Sequence, residues 1–208
     1  MKKLLPILLV IAIAAFIYYN GSYSQDANRS ISGIPEPVQK SAEGTVNTVA
    51  NGCDTVITFK ASYEIQALVV STKNYRGAGV FDALSPKDVA LAWGSVAEHN
   101  GDIDFHWSQS GRWYYWHTSA GVDLSPVGSS AGVNTQSSNN HLIPADDGVK
   151  SLINKIKTGD YIKLTGYLVD FRATKPGGTV YTNSSSTSRT DTGDGACEII
   201  YVTSVEWL

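Results

Sequence analysis

The sequence predicts a β-rich α+β chain whose strands curl into a small coiled barrel or form one sheet with two helices packed on it, with an α+β sandwich as the alternative. Three observations carry this. Charged residues make up only 17% of the 208, while Gly (19), Tyr (11) and Trp (5) are plentiful, a balance closer to an extracytoplasmic β protein than to a charge-dense helical one. Several short runs are dense in β-branched and aromatic residues. Only two stretches carry a helical pattern. Lys plus Arg is 16 against 19 Asp plus Glu, net −3, so no positive surplus exists to hold phosphates and nucleic acid is not an expected partner.

Lys2 and Lys3 precede an apolar run from Leu4 to Tyr19, the layout of a secretory n-region and h-region. Sixteen residues fall between an ordinary h-region and a full span. Both a signal-anchor and a cleaved signal peptide therefore stand for residues 1–20, with Ser22 and Ser24 as the small residues before a cleavage point. The charge bias keeps Lys2 and Lys3 cytoplasmic and places the rest outside, through a single pass across a cytoplasmic membrane by residues 4–19. Cleavage instead gives a periplasmic or secreted chain. Residues 21–48, rich in Ser, Asn and Gly with Pro35 and Pro37, show no period of 2 or 3.6 and read as a flexible stalk. Residues 49–208 are then one extracytoplasmic globular domain.

Within that domain Thr55–Phe59 and Tyr63–Thr72 read as strands. Between Leu84 and Gly94 the pattern reads as helix: Ser85 can cap, Pro86 suits the first turn, and Val89, Ala90 and Trp93 share a face. Gly111–Thr118 reads as a strand. The second helix is better marked, with Val149, Leu152, Ile153 and Ile156 at i, i+3, i+4, i+7, Asp146 and Asp147 in its first turn and Gly159 beyond its end. Tyr161–Phe171 is a strand interrupted by Gly166, which suggests a bulge or a sharp coil. Residues 172–195 read as a long polar loop, and Cys197–Val205 as the last strand. The unit of helix, Gly159-Asp160 and Gly-interrupted strand is what an OB-like barrel needs where a strand turns a corner.

WGSV (93–96), SQSGRWYYWH (108–117), NNHLIPADDGV (139–149) with GDYIKLTGYLVDF (159–171), and TDTGDGACEIIYV (190–202) together resemble a family of membrane-anchored bacterial envelope proteins of about this size. The family has no assigned activity. The resemblance implies a bacterial source and an anchored single-domain layout, and leaves the chemistry open.

Candidate chemistry is sparse, and no cofactor motif is complete. Asp102, Asp104 and His106 at i, i+2, i+4 would share one face of a strand and offer ligands to a divalent metal; the same alternation fits a solvated polar face opposite Ile103, Phe105 and Trp107. Ser110 in SQSG resembles half of a nucleophile elbow, which makes Ser110 as nucleophile, His141 as base and Asp146 or Asp147 as orienter an envelope serine hydrolase on residue type alone. Asp191, Asp194 and Glu198 lack calcium-loop spacing. The most unusual feature is the aromatic cluster. On a strand, Trp113 and Tyr115 point one way and Tyr114 and Trp116 the other, so one pair can form a binding surface for a glycan or an envelope protein, with Arg112 adding a cation. The second alternative is that all four are core. Cys53 and Cys197, the only cysteines, are expected to form a disulfide in an oxidising compartment. The function these features favour is a membrane-tethered extracytoplasmic binding or assembly module without catalysis; the serine hydrolase and a structural subunit of a membrane complex are the alternatives.

Overall fold

The computed structural model describes residues 27–188 and 197–208. The apolar run of residues 4–19 lies outside them, as do Asp191 and Asp194. Among the described residues no helix is long and apolar enough to cross a membrane.

The fold is α+β and strand-rich. Its spine is β3, Cys53–Asn74, a single strand of 22 residues where two were expected. A straight strand of that length would run about 70 Å, far beyond a domain of this size. It bends instead at register shifts between Phe59 and Ala61 and between Val69 and Ser71, and each extra residue increases local coil. One edge of β3 pairs antiparallel with β8 (Tyr161–Thr174) from Asp54 to Leu68; the other edge takes β4 (Lys87–Ala92) from Leu68 to Asn74. β4 continues antiparallel to β7 (Ser137–Pro144), β7 lies parallel to β10 (Glu198–Trp207), and β10 returns antiparallel to β8. The result is a ring of five strands, β3-β4-β7-β10-β8, closing on β3.

Gly166 lies on β8 between β3 and β10. It pairs with Val202, next to the β10 bulge between Val202 and Ser204, and a Cβ there would collide with the Tyr201 carbonyl. The glycine serves close approach of two backbones.

Two short helices, α1 (Val80–Leu84) and α2 (Gly94–Glu98), flank β4. The helix expected at 84–94 is therefore a strand followed by a helical turn. Every residue of β4 is buried. A strand covered on both faces has no alternation, and over six residues its apolar run cannot be told from a helix by period. A third helix, α3, is Ser129–Thr135. The second expected helix is present as α4, Asp147–Lys155, capped by Asp146, whose carboxylate accepts from Val149 N at 2.8 Å.

Two segments read as unstructured carry strands. β1 (Val38–Ser41) and β2 (Thr45–Ala50) both pair with β3, and Ile34 is buried, so the order begins well before residue 48. β2 and β3 join through Asn51-Gly52, both at positive φ, the two-residue hairpin turn that this dipeptide favours. The expected loop from residue 172 is shortened by β8 itself, which runs to Thr174, and by β9 (Val180–Ser184), which pairs with it.

Two apolar cores follow. The larger gathers Tyr63, Leu68, Leu91, Trp93, Leu142, Ile162, Leu164, Ile200 and Ile153 of α4. The smaller lies against α1 and β2 and holds Cys53, Ile57, Leu84, Ile143, Phe171 and Ile199. Lys87 is buried at the start of β4, its ammonium donating to the Asn154 and Ile156 carbonyls at the C-terminal end of α4, the end that favours a cation.

Because backbone rather than a flexible side chain must yield at Gly166, Gly166→Ala should lower the unfolding free energy by about 3 kcal/mol, at the upper end for overpacking; an unchanged urea midpoint would remove Gly166 from this role. Burial lowers the Lys87 pKa to about 8, with Asp160 opposing the shift. The unfolded chain therefore binds the extra proton between about pH 8 and the ordinary lysine value near 10.5, so the cost of burying charged Lys87 is relieved, and stability gained, as pH rises through that window. Urea unfolding of wild type and Lys87→Met across it should show wild type gaining on the variant.

Candidate functional site

β5 (Ser108–Ser110) and β6 (Trp113–Tyr115) form a separate two-stranded hairpin. The strand expected at 111–118 is only its second arm. Gly111 and Arg112 are the two turn residues, at φ +59° and +73°, the mirror-image turn whose twist matches the strands it joins. A non-glycine residue held in the left-handed region asks for a compensating contact, and Arg112 has several. Its Nη1 donates to Asp88 Oδ1 at 2.7 Å, and its Nη2 donates to Asp82 and to the Ser85 carbonyl. The guanidinium lies 3.6 Å over the Tyr75 ring and 4.6 Å from that of Phe81, and Arg112 N donates to Tyr75 Oη at 3.0 Å. Burial, with the charge of Asp88, pushes the Tyr75 phenol up.

Asp88 sits on β4 with its side chain fully buried, and His141 is its register partner on β7. His141 Nδ1 is 2.9 Å from Asp88 Oδ1, out of line for a hydrogen bond. Asn139, two residues along the same face, accepts from Gln109 Nε2 at 2.6 Å and donates to the Arg112 carbonyl at 2.9 Å. It also donates to Cys197 Sγ at 3.6 Å. Strand pairing places Asp88, His141 and Asn139 on neighbouring ring strands, with Cys197 just ahead of β10 and the hairpin tip held over them.

Between hairpin, α1 and the start of β10 lies a pocket of about 380 Å³. Its wall comprises Phe81, Trp113 and Ile199 as apolar surface and Arg112, His141, Asn183, Ser184 and Cys197 as polar surface. The volume falls within the range of small-ligand pockets.

The aromatic alternation is as the strand geometry requires. Tyr114 and Trp116 pack against the larger core, and Tyr114 Oη lies 3.1 Å from Ser137 Oγ; burial pushes the Tyr114 phenol up. Trp113 lines the pocket, and Tyr115 is 52% exposed. Arg112 turns inward to Asp82 and Asp88, so its charge organises the site instead of facing solvent.

Three expectations change. Cys53 and Cys197 form no disulfide: Cys53 is fully buried in the smaller core at the β2–β3 turn, whereas Cys197 leads into β10 beside Asn139. The carboxylate beside His141 is Asp88, because Asp146 is engaged in capping α4; Asp147 opens that helix, and Ser110 is exposed and does not line the pocket. Asp102, Asp104 and His106 lie in a loop, with His106 at φ +42°, so the shared strand face does not exist. Asp102 instead faces His99 and Asp104 faces His106, each at 3.3 Å, and His106 stacks on His117. No group of three potential metal ligands occurs among the described residues.

The sequence assigned none of Asp88, Asp82, Asn139 and Tyr75 to a site, and suited Asp88 to the first turn of a helix where the structure has β4. The available signal was Asp88 itself, a carboxylate opening an apolar run that must be buried and so must find a cation. Compared with protein-family models, curated proteins and solved structures, the chain has no match.

Removing the Arg112 head group leaves Asp88 buried without its strongest partner. Arg112→Met should cost about 3–5 kcal/mol, and Arg112→Met combined with Asp88→Asn should cost less than the two single changes added together. Urea unfolding of wild type, both single variants and the double variant measures both quantities; strict additivity would mean the two side chains do not act as a pair.

Proposed function

We propose that this chain is a membrane-tethered, extracytoplasmic binding module of the bacterial envelope, non-catalytic, anchored through residues 4–19 and contacting its ligand at the hairpin pocket. One observation carries the binding half: Trp113 and Tyr115 stand on the outward face of a hairpin whose inward face, Tyr114 and Trp116, is packed down. Large aromatics kept off the core on a rigidly held element are what recognition surfaces use. The pocket beside them offers Asn183, Ser184 and His141 as polar contacts, and a glycan or a polar segment of an envelope protein supplies the matching chemistry. The tethered location rests on the apolar run after Lys2 and Lys3.

The two aromatic faces should separate by measurement. Tyr114→Ala and Trp116→Ala are expected to lose about 3 kcal/mol of stability, with Trp113→Ala and Tyr115→Ala near wild type in melting point. The latter two should abolish calorimetric binding of chitotetraose, used as a glycan probe, or reduce recovery of partners from detergent-solubilised membranes. Should Trp113→Ala and Tyr115→Ala alter neither readout, the outward aromatics are not a binding surface.

A further inference from the structure

The backbone that leads into the strand ring is strapped to one end of the domain. Asn100 Nδ2 donates to the Ala27 and Arg29 carbonyls, each at 3.1 Å, Gly101 N donates to Ser30 Oγ at 2.8 Å, and Ile31 N donates to the Ala97 carbonyl at 2.9 Å. Ile34 is then buried in the larger core. The strap reaches back to Ala27, and eight residue steps separate Ala27 from Tyr19 at the end of the apolar run. Those steps extend to about 28 Å at most, against a diameter of about 40 Å for a domain of this size. Only the neighbourhood of Ala27 can then lie on a bilayer that holds residues 4–19.

The same end carries an apolar patch. The turn at residues 158–161 joins the two: Thr158 shares a hollow with Ala27 and Asn28, and the Gly159 carbonyl accepts from Arg29 Nη1 at 3.2 Å. Next along the turn, Asp160 accepts from Trp207 Nε1 at 2.9 Å and the Tyr161 carbonyl accepts from Leu208 N at 2.9 Å. Trp207 is 41% exposed and Leu208 53%. Because the indole N–H is engaged inward by Asp160, the part of the Trp207 ring turned to solvent is hydrocarbon. Tryptophan with an apolar side turned outward is the side chain most favoured at a membrane–water interface.

We infer that Trp207 and Leu208 form a second membrane contact, which seats this end of the domain on the lipid headgroup layer beside its own anchor. The inference rests on the anchored reading above and adds a surface and an orientation to it. Around the patch Arg29 and Lys157 are balanced in number by Asp160 and Glu206, so the contact is apolar and indifferent to lipid charge. It also sets which way the hairpin pocket faces. β10 runs from Ile199 at the pocket wall to Trp207 at the lipid, a distance of about 25 Å along a strand. The pocket is therefore held away from the bilayer, open to ligands that are not part of it.

The test uses the full chain reconstituted in phosphatidylcholine vesicles, with and without dibrominated acyl chains, and reads tryptophan emission. Brominated vesicles are expected to quench the wild type, and the quenched part of the emission should fall at least twofold in Trp207→Phe. Leu208→Glu puts a charge at an exposed position without touching the core, and it should lower quenching by a similar factor while all five tryptophans remain. Where Trp207→Phe departs from the wild-type melting curve, Leu208→Glu decides. Quenching that is absent in the wild type, or unchanged in Leu208→Glu, overturns the inference. Loss of quenching in about 0.5 M salt overturns it as well, because screening releases a charge-held contact and leaves an apolar one. Flotation of the vesicles separates the two readings. A chain that floats without quenching at Trp207 refutes this contact alone, whereas a chain that does not float refutes the anchored reading and this contact with it.

Discussion

A carboxylate with no solvent exposure in the middle of a sheet is tolerated only if the surrounding chain is arranged to neutralise it. Asp88 is that carboxylate, and much of what lies outside the strand ring can be understood as the arrangement. Arg112 reaches it from a hairpin that does not belong to the ring sheet, at a backbone conformation few side chains adopt. Asn139 and Ser137 hold the hairpin in place through Gln109, the Arg112 carbonyl and Tyr114. Asp82 and the Ser85 carbonyl share the guanidinium, which ties α1 to the same point. Charge fixes the tip of the hairpin over the sheet beside the pocket, while Tyr114 and Trp116 lay the other face of the hairpin on the larger core.

Most ring strands were legible because they obey local rules. β8 and β10 are long, rich in β-branched residues and bounded by polar loops, and α4 carries both an apolar stripe and a capping aspartate. β4 was not legible for a reason intrinsic to its position: a short central strand has no wet side, and the pattern that separates strand from helix is a pattern of wetness. β1 and β2 failed differently. Their residues are exposed at most positions, because they are edge additions to β3, and only the Asn51-Gly52 turn announces that the chain doubles back.

The site was legible in its residues and not in its wiring. Trp113 to Trp116 alternate as any strand must, and His141 was a natural candidate, yet its partners lie on strands far from it in sequence. Asp88 pairs across β4–β7, and Cys197 arrives just ahead of β10. Register decides such meetings, and register is set by turns and bulges rather than by residue type. The same holds for the cysteines: compartment and count argue for a bond, whereas β-pairing sends one thiol to the floor of a core and the other to a pocket wall.

The length of β3 shapes how the molecule must come into being. Ile57 pairs with Phe171 and Asp54 with Thr174, so the spine of the ring is made early in synthesis and completed only when the last third of the chain arrives. Contacts so distant along the chain have to overcome a large loop-closure entropy before they return anything, which makes closure of the ring slow relative to formation of the β2–β3 and β5–β6 hairpins. Until then a 22-residue strand keeps one edge open to any other extended chain. The early pairing of β2, β1 and then β4 along the opposite edge leaves β3 a ribbon with a single vacant side, waiting for one partner instead of two.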